Sequence, residues 1–406
     1  MKSRLLACAV LALPIAALPL LFHAQTPPFD LALTAHEWCT FTSIAGHDGR
    51  AADWLPLAGS TDLPAFVEHF QTPNFKGGVR GTVRMETPVL YFYTNHTTTV
   101  SVHVSFAQGL ITEWYPHADR VEPVGLQTQT RMVAYYNDWN RLQKQPDSSI
   151  SWDSIKLEPG SSAALAREGR TNHYYAARQT SSTPLRIKTQ EGDQTEKFLF
   201  YRGVASFSVP VSVMLASDGK ILTQNLSASE IPAMLLFERR GDKIGFRVGD
   251  TSAAQPTLDP PELNANMDSL KQAVEDLLIA QRLYQDEAQA MFETWRDSWF
   301  EEGSRLLYIV PREFVDRVLP LSINPTPAQI VRVFVGRMEL VTPATQHAVE
   351  QALATNDRAA LASYNRFLVP ILESMIANEK NSTKKAQFSE YLNNASNTQI
   401  TLNTSN

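Results

Sequence analysis

Between about residues 34 and 250 apolar and polar side chains alternate with a period of two, the spacing that gives a β-strand one apolar and one polar face. Val100, Val102, Val104 and Phe106 interleave with Thr99, Ser101, His103 and Ser105. Phe207, Val209, Val211, Val213 and Leu215 do the same against Ser206, Ser208 and Ser212. Pro210 has no N–H for a ladder, which assigns this second run to an edge or to an outward-facing nitrogen. Residues 89–93 are apolar at every position, the mark of a central strand covered on both faces. Turn chemistry at Asp218-Gly219 and Gly241-Asp242 predicts hairpins, and residues 95–98 form a four-residue loop between two strong strands. The region reads as an antiparallel, sandwich-like β-rich domain.

The period then changes to three and four. Leu263, Met267, Leu270, Val274, Leu277, Tyr284, Ala288, Met291, Trp295 and Trp299 describe one amphipathic helix over residues 262–302. It is entered after Asp259-Pro260-Pro261 and ended by Gly303, and its length predicts a break near 282–286 with Asp286 as a second cap. Residues 306–310 and 331–341 read as strands, whereas 342–354 and 357–378 read as helices started by Thr342 and Asp357. The expected class is α+β: a signal peptide at 1–24, a β-rich domain at 25–255, a long helix with a mixed, mostly helical region at 256–380, and a disordered polar tail at 381–406.

Composition narrows the functional classes. The 406 residues are 43% hydrophobic with a net charge of -6, which excludes general disorder and argues against nucleic acid as a partner, because phosphate binding calls for a basic field. The acidity is local, since residues 262–302 hold ten acidic and three basic side chains. Lys2 and Arg4 precede an apolar stretch and Ala24 offers a cleavage point, so residues 1–24 read as a secretory signal; beyond them no run is long and apolar enough to span a membrane. Its removal takes Cys8 away, leaving Cys39 as a lone thiol that reads as a small buried hydrophobe.

No strong catalytic motif is present: the chain lacks GxSxG, a phosphate-binding P-loop, HExxH and CxxC, and no cofactor is expected. Four constellations remain. His36-Glu37-Trp38 with His47 and Asp48 holds zinc-type donors, but adjacent strand residues point to opposite faces. Glu113, between Ile111 and Tyr115, places a carboxylate on an apolar strand face; with Glu86 it makes a candidate acid pair for glycosidase-like hydrolysis, and His117 and His173 are the nearby imidazole candidates. The bland reading is a buried ion pair with Arg80, Arg84 or Arg202. Trp114, Tyr115, Tyr174, Tyr175 and Arg178 are candidates for a binding rim, or for aromatic anchors of a loop. Glu293, Asp297 and Glu301, spaced by four on one helix face, form an acidic stripe suited to a hard cation, to a basic surface of the β domain, or to solvent.

HEWCTF (36–41), RMETPVLYFY (84–93), ITEWYP (111–116) and ETWRDSWFEEG with RLLYIVPR (293–312) together resemble a family of exported bacterial proteins without an assigned activity. The resemblance implies export and no reaction. Cys39 stands where the family pattern HEWGTF has glycine, so a hairpin at that point is expected to be altered. The reading that follows is a periplasmic or secreted binding module for an envelope or extracellular ligand, with a paired-carboxylate hydrolase as the alternative.

Overall fold

The computed structural model describes residues 32–57, 62–69, 79–122, 147–162, 164–251, 253 and 255–403; the expected signal peptide lies outside them. Strand makes up 39% and helix 27%, so the fold is mixed α+β, and the described strands form three sheets instead of one sandwich.

The central sheet runs, in spatial order, Lys243–Gly249 (β14), Met234–Arg240 (β13), Gly303–Ile309 (β16), Gln329–Leu340 (β18), Thr34–Ile44 (β1), Val83–Tyr93 (β3), Leu199–Ala205 (β10), Gly109–Tyr115 (β5) and Glu68–His69 (β2). β1 pairs with β18 in parallel from Thr34↔Gln329 to Ile44↔Glu339, and the other neighbours are antiparallel. This corrects the expected boundary near residue 255, because strands from both sides of it share one hydrogen-bonded sheet. Local periodicity identifies strands but carries no record of which distant strand each one pairs with.

One face of this sheet packs on a second strand layer. Leu321–Asn324 (β17), Thr98–Phe106 (β4), Ser148–Leu157 (β7), Leu185–Thr189 (β8) and Gly192–Glu196 (β9) lie side by side, with Arg120–Glu122 (β6) also on β7. Val100, Val102, Val104 and Phe106 point into the shared core with Leu90 and Phe92, as their alternation predicts. Residues 95–98 thus carry the chain between layers and do not close a hairpin, since β3 and β4 belong to different sheets. The Asp218-Gly219 and Gly241-Asp242 hairpins are present, the first joining Val211–Leu215 (β11) to Ile221–Asn225 (β12), which Thr257–Leu258 (β15) extends. Pro210 sits just before β11, and Leu215 is exposed at its end.

The other face is covered by helix Met267–Ala280 (α1) and helix Gln285–Trp299 (α2), whose Leu270, Val274, Met291 and Trp295 pack against Trp38, Val89, Tyr91 and Val333. Residues 89–93 are therefore sandwiched, which is why no position among them is polar. The expected long helix is two helices: Arg282 adopts a left-handed φ of 76°, ending α1, and the Glu287 side chain reaches back to the Tyr284 N–H at 2.8 Å to start α2. Glu287, and not Asp286, supplies that reach-back bond.

Beyond Arg312–Val318 (α3), the chain ends in Pro343–Thr355 (α4), Arg358–Ala362 (α5), a 3₁₀ turn at Asn365–Phe367, Leu368–Asn378 (α6) and Ser382–Asn403 (α7). Thr342 and Asp357 cap α4 and α5 as their sequence suggests. These helices enclose a third core of Trp54, Val349, Phe367, Ile371 and Phe388. The tail expected to be disordered is helical at 382–403, and Phe388 is buried there with Tyr391 and Leu392, one turn on, packed against the same core.

Candidate ligand site: an arginine cluster on the helix side of the central sheet

In a strand buried on both faces, a charged residue must meet other charged residues across the ladder. Arg305 on β16, Arg337 and Glu339 on β18, Arg84 and Glu86 on β3, Arg202 on β10 and Glu113 on β5 all lie on the helix-facing side of the central sheet, beyond the end of the apolar patch under α1 and α2. All are buried. The β1 positions crossing this polar band are Thr40 and Thr42, also buried. A bulge in β3, at Thr87 with its left-handed φ of 47°, keeps Glu86 opposite Thr40, and a second shift between β10 and β5 brings Glu113 opposite Arg202. That shift also turns Ile111 to the other core, so Glu113 shares its face with Tyr115 and not with Ile111.

Three other elements close over the band. The 3₁₀ turn brings Arg366, which grips Glu86 through two bonds of 2.7 and 3.1 Å. Asp62, from the segment before β2, takes Arg202 at 2.7 Å and lies 3.6 Å from Arg84. Glu301, just past α2, lies 3.2 Å from Arg337, while Arg305 bonds Glu339 at 3.0 Å and the carbonyls of Trp299, Glu301 and Glu302. Phe367 stacks beneath the Arg337 guanidinium at 4.2 Å.

The electrostatics follow from this geometry. Burial works to raise the Glu86 carboxyl, but Arg366, Arg84 and Arg202 outweigh it and hold the group down at about 2. Asp62 is likewise held well below the usual carboxylate range by Arg202 and Arg84 against the burial penalty. Burial, reinforced by repulsion from Arg305, pushes Arg337 down to about 10. Two carboxylates, Glu301 and Glu339, each lie 3.2 Å from Arg337 Nη2. The Arg337 Nε and Nη1, together with the Nε atoms of Arg84, Arg202 and Arg366 and the Trp295 Nε1, have no hydrogen-bond partner among the described residues.

The structure brings together three of the four hydrolase candidates. Glu86 and Glu113 lie in the band, and His173, on the 3₁₀ helix His173–Arg178, adjoins it 6.1 Å from the Trp295 ring, with burial pushing its imidazole down. His117 stands apart on the surface, 2.9 Å from Glu68, whose other oxygen accepts from Trp114. The carboxylates face arginines, as the bland reading held, although Arg80 is elsewhere and pairs with Asp53.

The proposed aromatic rim is closed. Tyr115 packs on Phe66, Tyr174 donates to Glu196, and Arg178 pairs with Glu196 at 2.6 Å while lying over the Tyr175 ring. These side chains anchor the 3₁₀ helix to the sheet. The acidic stripe is dispersed: Glu293 bonds Lys271 at 2.8 Å, Asp297 is 96% exposed, and Glu301 turns inward to Arg337. Its cations are Lys271, Arg296 and Arg337, and no group of three His, Cys, Asp or Glu able to hold a metal occurs among the described residues.

The chain matches no family model and no curated protein. His36 and Glu37 do point to opposite faces. His36 Nδ1 lies 2.8 Å from Glu287, and Glu37 pairs with Arg332 and Tyr201. Cys39 is buried within β1, whose register with β18 is unbroken, so no hairpin exists there to be altered.

Arg305, Arg337, Arg366, Asp62 and Glu339 belong to none of the four sequence constellations. A signal was available for some of them. Arginine interrupts otherwise apolar strands in SRLLYIV and VFVGRMEL just as it does in VRMETPVLYFY. A lone charge inside a doubly buried strand demands partners from other strands.

Proposed function

We propose that this is an exported binding protein whose ligand is anionic and whose site is the arginine cluster on the central sheet. The observation that carries the reading is Arg337, buried with two N–H groups unpartnered. An unsatisfied buried donor costs about 1–3 kcal/mol, more when charged, and an anion offsets that cost where a neutral or cationic ligand does not. Export rests on the signal-like residues 1–24 and on the resemblance to exported bacterial proteins; no described helix is long and apolar enough to cross a membrane.

The paired-carboxylate hydrolase is the weaker reading. Glu113 would have to be the acid of such a pair, since Glu86, held down at about 2 by its arginines, stays ionised near neutral pH and is left only the role of base or nucleophile. The Glu86 oxygens are occupied by Arg366.

The test is a thermal-shift and calorimetric panel on the chain lacking residues 1–24, using acetate, citrate, D-glucuronate, phosphate and sulfate beside neutral sugars. At a hundred times Kd a ligand stabilises by about 2.7 kcal/mol. At least one anion is expected to raise Tm in the native protein and not in Arg337→Met. No shift with any anion, or the same shift in Arg337→Met, rejects the proposal.

A further inference from the structure

Glu301 is held in the cluster by two long contacts. Its Oε2 lies 3.2 Å from Arg337 Nη2 and its Oε1 accepts from Asn365 Nδ2 at 3.3 Å. Charge-assisted bonds of good geometry are about 2.7–2.9 Å, the length seen between Arg366 and Glu86 and between Arg202 and Asp62. Two local fields also oppose its position. It follows directly on the C-terminus of α2, where backbone carbonyls disfavour a negative charge, and Asp297 lies one turn earlier.

The same side chain lines an open cavity of about 340 Å³ with Arg239, Met267, Arg296, Asp297 and Phe300. Glu301 thus both lines this open cavity and pairs with the buried Arg337. Arg239 adds an independent observation. Its Nε and Nη1 donate to the carbonyls of Gly241 and Phe300, and among the described residues it has no carboxylate within ion-pair distance. The cavity thus holds a cation bonded to carbonyls and not directly to a carboxylate, beside an apolar wall of Met267 and Phe300.

We infer that the ligand is a small organic carboxylate that enters this cavity and takes the place of Glu301 on Arg337 and Asn365. This rests on the anion-binding reading above and names its ligand class. The seat fits one planar carboxylate, because Glu301 itself fills it with one; an incoming carboxylate takes over the bonds to Arg337 Nη2 and Asn365 and has the adjacent Nη1, which Glu301 leaves without a partner, as a further donor, while Arg239 neutralises the charge that Glu301 then carries elsewhere. The remainder of the ligand lies on Met267 and Phe300, which favours a carboxylate bearing an apolar chain or ring. Glu301 is then a built-in competitor that sets the affinity.

The experiment measures Kd by calorimetry for hexanoate, benzoate and D-glucuronate against phosphate and sulfate, in the native chain and in Glu301→Gln, Arg239→Met and Arg337→Met. The amide of Glu301→Gln keeps the shape but not the charge, so carboxylate binding is expected to tighten about tenfold. Arg239→Met alters a cavity-lining residue outside the buried band and is expected to weaken binding at least tenfold, which keeps the test decisive should Arg337→Met fold poorly. Preference for phosphate or sulfate, or Glu301→Gln leaving carboxylate binding unchanged or weaker, overturns the inference while the anion site stands. Absence of binding by every anion overturns both.

Discussion

Replacing Arg366 with methionine isolates the contact that fastens the C-terminal helices to the central sheet. Methionine keeps most of the aliphatic packing near Phe367 but removes both bonds to Glu86, a carboxylate 1% exposed. Breaking one partner of a buried ion pair costs about 3–5 kcal/mol, and Arg84, still 3.7 Å from Glu86, places the loss at the lower end. A second route agrees. Glu86 is held at about 2 against an ordinary 4.5, and at about 1.4 kcal/mol per pH unit the net of the arginines over the burial penalty is about 3.5 kcal/mol. Spread over the unfolding entropy of a chain of this length, that is a fall in Tm of roughly 4 °C. The sign with pH is also fixed. A depressed carboxylate stabilises fully above about 4.5 and loses that stabilisation as pH falls through about 2. Without Arg366 the burial penalty raises the Glu86 carboxyl, so protonation in the variant relieves part of its loss. The gap between native and variant proteins, read from guanidinium unfolding by tryptophan fluorescence, is expected to be widest at pH 7 and to narrow towards pH 4. A gap under about 1 kcal/mol at pH 7, or one constant over that range, refutes the argument.

Three further outcomes follow from single contacts. Glu287→Ala strands the Tyr93 hydroxyl, the His36 ring and the Tyr284 N–H, bonded at 2.7, 2.8 and 2.8 Å, and is expected to cost about 3 kcal/mol or more in chemical denaturation. Asp297→Lys changes a side chain 96% exposed and is expected to leave Tm within about 1 °C of the native value; a larger drop assigns that face a contact the fold does not provide. Burial and the nearby Glu37 and Glu86 push the Cys39 thiol up, so it is expected to resist maleimide in the native protein and react once denatured, as peptide mapping reports; rapid native labelling contradicts its burial.

The candidate site was half visible in the chain. Glu86 and Glu113 stand out because a carboxylate in an apolar strand is chemically conspicuous, and Arg305 and Arg337 share that property without a motif to mark them. Their meaning depends on β16 lying beside β18 and on the end of α2 folding against both, which brings Glu339 and Glu301 to them. Arg366 was hidden more completely, since nothing in SYNRFL sets it apart from a solvent-facing arginine until the turn is folded against Glu86.

By itself the sequence determined the elements. Period-two runs became strands, three-and-four spacing became α1 and α2, and Thr342, Asp357 and the glycine turns began and ended segments where they stand, because these are choices made by a residue and its near neighbours along the chain. Tertiary structure decided the rest: that strands on both sides of residue 255 form one sheet, that Glu301 faces an arginine instead of solvent, and that five arginines from distant segments meet on one face. Charge pairing across a sheet is set by register and by what covers it, and neither is written in the local pattern of apolar and polar residues.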